Sequence, residues 1–414
     1  SSHLSHPGFA LSRHLGLITN ALHVWISGVN VTSHHFWKFF LLVIANILLF
    51  EFLKTLLKSN KLALAAVLIY ISLPYHTSTY YWVSTRVSVY AMIFALISGL
   101  CIQKNGKLLL YFLGPLSLLL SVSGYELFIG FIPIIAYIVF FTPQFKNHSL
   151  SNKLFVIFLY TFSAFGVFLY RKLIMVGVLN YSLPKEINLT GSFNNLSRYQ
   201  YMVSNIFGVR LYRFIFSSSK SFTQIKTLSY SKLLMFFLIT FAFIISRSIF
   251  TVISGSKKRE LYNNILHIGI IIITTGVLSL LFTSYNYSLG PDLNDRVNIF
   301  IDIGISLLII YLFLNIPKNI AKLSLFLILI FFTMINWVFL SAYIKSYYYQ
   351  KSFMSYIKTV EIPNNSLIFL NTDLEVAEGV PALYTTWGVT SIIAYTVNQN
   401  RVEYVGDWSF NENM

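Results

Sequence analysis

Ten stretches of this 414-residue chain are apolar over lengths that match or approach the thickness of a bilayer. Their approximate cores are 36–53, 62–74, 87–102, 108–123, 126–142, 154–177, 232–250, 264–283, 297–315 and 321–343. A run of about 17–25 apolar residues is what a helix needs to cross the hydrocarbon core. Inside lipid every backbone N–H and C=O must be satisfied within the protein, so such runs fold as helices rather than open strands. The second and fourth are short and carry Pro74 and Pro115, which leaves their boundaries soft. Composition points the same way. Charged residues make up 11% of the chain and mean hydropathy is +0.68, whereas soluble domains carry roughly 25% charge. The fold class expected is an all-α polytopic membrane protein with about ten transmembrane helices, outward amphipathic helices and a small α/β C-terminal appendage.

A formal net charge of +16 would suggest nucleic acid in a soluble protein. In a membrane protein it reflects positively charged cytoplasmic loops and contact with anionic lipid, so membrane lipids and not nucleic acid are the expected partners. Thirteen cations fall in alternate connections: Lys54, Lys58 and Lys61; Lys104 and Lys107; Lys146 and Lys153; Arg247, Lys257, Lys258 and Arg259; Lys318 and Lys322. The intervening short connections hold only Arg86 and Arg296. By the positive-inside rule the thirteen face the cytoplasm. Residues 1–35, 72–88, 123–126, 178–231, 284–296 and the tail then face outward, and both ends of the chain are extracytoplasmic. The chain opens on Ser1 with no basic segment followed by an apolar one; a further span ahead of Ser1 would reconcile that with an outward end. Cys101 is the lone cysteine, which excludes an internal disulfide and a multi-cysteine metal site.

The outward side carries the chemistry. Residues 72–88, SLPYHTSTYYWVSTRVS, hold Pro74, His76, an aromatic group Tyr80-Tyr81-Trp82 suited to the interface, and Arg86 at the mouth of the next apolar run. Residues 1–35 hold His3, His6, His14, His23, His34 and His35, with Leu11, Leu15, Ile18, Leu22, Trp25 and Val29 at helical spacing. They read as amphipathic helices on the membrane, with interfacial histidines and no metal-ligand spacing. Arg171 and Lys172, at the outer end of the sixth run, either snorkel to the headgroups or line a site for an anion. The long 178–231 connection is either a solvated loop or a lid over an anionic headgroup, with Arg198, Arg210 and Arg213 as its contacts. Asp292, Asp295 and Arg296 cluster before the ninth run, and Asp302 lies inside it, where an ionisable group is expensive. Glu126 starts the fifth run from the outer face. From about residue 346 the spanning pattern gives way to short segments. The division expected is therefore a transmembrane domain over 1–345, with 1–35 as the end of a first outward loop, and an extracytoplasmic subdomain over 346–414.

These residues resemble the GT-C membrane glycosyltransferases that use polyprenyl-phosphate sugars, in particular the O-mannosyltransferase-like branch. That branch carries Pro-x-His-x-Glu in the outward loop before a span, then an Arg eight residues after the Glu. Here Pro74 and His76 match, Ser78 stands in place of the Glu, and Arg86 matches. The next outward turn of the branch carries Lys-Glu at the start of a span; here Tyr125-Glu126 keeps the Glu alone. His6-Pro7-Gly8-Phe9, the helix after it and His34-His35 are similar to the end of the family's first outward loop, without its Arg. The motifs cover roughly residues 1–142, and topology the remainder.

The resemblance implies an enzyme that moves a hexose or pentose from a polyprenyl-phosphate donor to an acceptor at the outer face. It assigns the donor phosphate to Arg86 and His76, joined by Arg171 or Arg296. It places the general base ahead of Ser1, with Glu126 and Asp295 in support, requires no cofactor, and leaves a divalent cation open. Two other readings remain. A polysaccharide polymerase or O-antigen ligase would depend on Arg198, Arg210 and Arg213 instead. A lipid or solute transporter would show paired half-repeats broken near the midplane, and no internal repeat is visible.

Overall fold

The computed structural model describes residues 14–27, 31–76, 85–170, 259–282 and 298–357, together with Thr79 and Thr359. Over these residues the chain is almost entirely helical, and no strand occurs among them. In chain order the helices are α1 (His14–Ser27), α2 (Val31–Leu57), α3 (Asn60–Ser72), α4 (Arg86–Lys104), α5 (Gly114–Gly124), α6 (Ile132–Phe141), α7 (Leu150–Tyr170), α8 (Arg259–Phe282), α9 (Ile301–Asn315) and α10 (Lys318–Ile357). Nine of the ten apolar runs are helical as far as they are described, the run 154–177 up to Tyr170; residues 171–177, the run 232–250 and the C-terminal appendage lie outside the described residues. Among the described residues four helical stretches are long and apolar enough to cross a membrane: Thr32–Leu57, Arg86–Lys104, Leu150–Tyr170 and Asn319–Trp337.

The joints follow from local chemistry. Lys58, with φ of 51°, closes α2 in the left-handed region, and the Ser59 hydroxyl caps α3 by accepting from the Leu62 N–H. Asn105, with φ of 50°, ends α4 in the same way, and its amide reaches the Gln144 carbonyl at 3.2 Å. Pro115 cannot donate an N–H into the turn before it. The helix there widens into a π turn over Leu109–Leu113, closed by the Gly114 N–H on the Leu109 carbonyl, so the soft fourth run is one continuous helix. Pro133 stands in the first turn of α6, where a missing N–H is tolerated. Helix α10 continues through residues 345 and 346 to Ile357; 40 residues at 1.5 Å each make it about 60 Å long.

Side-chain contacts set the directions of the helices. Thr85 and Arg86 meet Lys38 and His34, while Gln103 reaches the Phe52 carbonyl, so α2 and α4 run parallel. Ser121 donates to the Ala91 carbonyl, which sets α5 antiparallel to α4. Asn336 donates to the Ser72 carbonyl, tying α10 to the end of α3. Helices α8 and α9 pack through glycines: a Cβ on Gly304 would come within 2.8 Å of the Gly269 carbonyl, and one on Gly276 within 2.5 Å of Ile301. Alanines 63, 65, 66, 91 and 95 are fully buried at the other close crossings.

The surface is the inverse of a soluble one. Phe36, Phe39, Phe40 and Ile47 on α2, Phe155, Phe158 and Phe162 on α7, and Leu323 and Leu327 on α10 are all exposed. Apolar faces of that extent are what lipid covers. Helix α1 follows the same rule. Leu15, Thr19 and His23 turn inward, while Ile18, Leu22, Trp25 and Ile26 face out.

The turns holding Lys54, Lys58, Lys61, Lys104, Lys107, Lys146 and Lys153 therefore lie at one end of the bundle. His76, Arg86, Glu126 and Asp302 lie at the other.

Candidate functional site

Two polar clusters occupy the lysine-poor end, and both hang on the segment between α3 and α4. The first is built around His76. Leu73 caps α3, and Pro74 opens a single 3-10 turn, Pro74–His76, that drives the imidazole inward. The ring stacks on Tyr70 at 4.6 Å and 17°. Its Nδ1 meets Asp302 Oδ2 at 2.5 Å, and both side chains are wholly buried. Asp302 sits in the first turn of α9, where the helix dipole favours a carboxylate. Its Oδ1 has no hydrogen-bond partner among the described residues. Lone burial of such a carboxylate would be prohibitive; pairing with an imidazole makes it tenable. His76 was expected on the donor phosphate. Here its Nδ1 is engaged by a carboxylate, and the pair fastens the α3–α4 segment to α9.

The second cluster is cationic. Arg86 is the first residue of α4 and lies 6% exposed, so its guanidinium is inside the protein. Its Nη1 is 2.7 Å from His34 Nδ1. A guanidinium only donates, so His34 accepts. Lys38, one turn further along α2, is 1% exposed and donates to the Thr85 hydroxyl at 3.0 Å. Helix α1 closes the cluster. His23 Nε2 lies 2.8 Å from the Tyr90 hydroxyl, and its ring is 6.3 Å from that of His34. Burial, with Arg86 and His34 adding to it, holds the His23 imidazole well below its usual range, at about 4. The first turns of α2 and α4 both end here, adding the positive ends of two helix dipoles. Two buried cations, two imidazoles and two hydroxyls in so small a volume form a setting for an anion with several oxygens, a phosphate foremost.

Glu126 is 4% exposed and begins a 3-10 turn, Glu126–Phe131, directly after α5. That turn packs on α8 and α9. A Cβ on Gly130 would reach the Thr275 carbonyl at 2.9 Å, and Phe128 and Phe131 both pack on Phe300, two residues before Asp302. Arg171, Arg198, Arg210, Arg213, Asp295 and Arg296 lie outside the described residues. Among the described residues no group of three or more His, Cys, Asp or Glu is placed to hold a metal ion.

The structure thus supports Arg86 as a member of a buried polar site and adds residues the sequence reading did not single out. Lys38, Thr85 and Tyr90 are new, and His23 and His34 become the neighbours of Arg86. One signal was available. Lys38 interrupts the first apolar run, HHFWKFFLLV, on the side away from the lysine-rich turns. Comparison of the chain with known protein families, with curated proteins and with solved structures found no match.

Proposed function

We propose that this chain is a membrane glycosyltransferase that moves a sugar from a polyprenyl-phosphate donor to an acceptor at the extracytoplasmic face. The observation that carries the reading is the convergence of Arg86, Lys38, His34 and Thr85 at the lysine-poor end of the bundle. The reading gives the chain ten spans, with its lysine-rich turns in the cytoplasm, both visible ends outside, and residues beyond α10 forming the outward appendage. A lipid-linked donor enters from the bilayer, so the enzyme needs a phosphate site at the membrane surface and no soluble nucleotide pocket.

In the transfer the acceptor hydroxyl gives its proton to a general-base carboxylate as it attacks the anomeric carbon, the bond from that carbon to the phosphate oxygen breaks, and the phosphate leaves with a second negative charge. Arg86 and Lys38 oppose that charge as it develops. Their preorganised donors act in a site largely closed to water, where such interactions are strongest. Glu126, buried on the neighbouring turn, is assigned to the acceptor side. Arg171, Arg296 and Asp295, and a lid carrying Arg198, Arg210 and Arg213, remain part of the proposal from the sequence.

The test uses membranes containing the full protein and labelled polyprenyl-phosphate hexoses and pentoses, with release of free polyprenyl phosphate as the readout. Loss of one well-placed charged donor costs on the order of 100-fold or more in turnover, so Arg86→Ala is expected to fall to background at unchanged abundance. Retained turnover in that variant, or no consumption of any donor by the wild type, sinks the reading.

A further inference from the structure

Within the phosphate site just proposed, we infer that His23 is a protonatable phosphate ligand: when the anion arrives the imidazole takes up a proton and adds a third cation beside Arg86 and Lys38. The inference rests on that reading of the cluster and names a ligand that the reading did not.

The geometry carries it. His23 is 2% exposed, yet its Nδ1 has no hydrogen-bond partner among the described residues, while Nε2 is occupied by the Tyr90 hydroxyl. A buried ring nitrogen left over beside an arginine is the sort of group a bound anion completes. Among the described residues the titratable groups facing His23 are Arg86 and Tyr90 on α4 and His34 on α2, with Lys38 one turn along α2; α5, which packs on the other flank, has none. Without an anion burial and then the neighbouring Arg86 keep His23 neutral, which limits the positive charge held in a closed site. A phosphate reverses the local field. Opposite charge within hydrogen-bonding reach raises a histidine's proton affinity by roughly 1–3 pH units. Binding and protonation then reinforce each other, because more protons are bound in the complex than in the free protein and affinity must rise as pH falls.

The inference also bears on which phosphate is held best. The donor is a phosphodiester with one negative charge, and the departing polyprenyl phosphate is a monoester with up to two. A site that adds a cation on demand matches the second. His23 would then stabilise the charge that appears as the sugar leaves, with its proton drawn from the interfacial water.

The experiment measures binding of a short polyprenyl methyl phosphodiester to the full protein in lipid nanodiscs. That probe does not titrate between about pH 5.5 and 8, so any dependence on pH belongs to the protein. Wild-type affinity is expected to rise about tenfold from pH 8 to pH 5.5, and His23→Gln to flatten the slope to within about twofold. A wild-type affinity that ignores pH, or a slope that survives His23→Gln and disappears in His34→Gln, overturns the assignment. Proton uptake on binding, measured by calorimetry in buffers of different ionisation enthalpy near pH 6.5, decides the matter if the variant does not fold. No uptake in the wild type counts against it. Failure of the underlying phosphate reading looks different: Arg86→Ala and Lys38→Ala would then bind the probe as well as the wild type at every pH.

Discussion

At the scale of single residues the His76–Asp302 pair offers the sharpest test of how this end of the molecule holds together. The two groups are 226 positions apart, meet at 2.5 Å and are wholly buried. Removing one partner leaves the other stranded in an apolar site, a change that costs about 3–5 kcal/mol. His76→Ala and Asp302→Ala should therefore both lower the unfolding midpoint of the detergent-solubilised protein by several degrees. Replacing both, as in a His76→Phe, Asp302→Leu double variant, exchanges a desolvated pair for apolar packing and should recover most of the loss. If the double variant is as unstable as the sum of the singles, the pair is not the source of the cost. The two ends of this contact differed in legibility. Asp302 announced itself, because a carboxylate within an apolar run needs a reason. Its partner did not, since nothing local in the sequence links position 302 to position 76. Lys38 was harder still. It was visible as an interruption of an apolar run, but its partner Thr85 comes into reach only because α2 and α4 run parallel.

At the scale of elements the helices were legible because apolar length and flanking lysines are local signals; the joints at Ser59 and Asn105 were not singled out, and Pro115, which made a boundary look soft, is absorbed by a π turn instead. What was not legible is which helices touch. The α8–α9 seam is the clearest case. It exists because Gly269, Gly276 and Gly304 remove side chains where the two helices meet, yet single glycines in apolar runs carry no address. The seam matters to the site because it sets the first turn of α9, and with it Asp302. Gly304→Val places branched carbon against the Gly269 carbonyl, which would stand 2.8 Å from its Cβ, and cannot be relieved by a side-chain rotation. Overpacking of this kind costs about 1–3 kcal/mol, so the variant should melt earlier and lose activity together. Gly166 on α7 is the control: a Cβ there meets nothing within 4 Å, and Gly166→Ala should be neutral or stabilising by up to about 1 kcal/mol. A Gly304 variant that melts like the Gly166 variant would mean that the helices do not pack through this seam.

At the scale of the whole molecule, the alternation of charge and the placement of the polar clusters are two accounts of which helix ends lie together. The first came from counting lysines in connections; the second from contacts that gather His76, Arg86, Glu126 and Asp302 at the opposite end. They agree wherever both can be traced. Residues 171–258 lie outside the described residues, but the contacts of Asp302 with His76 and of Asn336 with Ser72 place the start of α9 and residue 336 of α10 at the cluster end, so an odd number of crossings is expected between α7 and α8. Asn147, in the exposed turn between α6 and α7, belongs to the lysine-rich end. Tyr356, 65% exposed near the end of α10, lies beyond the portion of that helix a bilayer can cover. Between them stand α7, the apolar run 232–250, α8, α9 and α10. Five crossings put the two residues on opposite sides, and four put them on the same side. With Cys101 replaced by Ala, single cysteines at each position report which holds. In intact cells a membrane-impermeant maleimide should label Tyr356→Cys and leave Asn147→Cys untouched until the membrane is opened. Equal labelling of the two would contradict the placement of Asn336 against Ser72 and of Asp302 against His76, and with it the shared face of the phosphate cluster and the end of α10.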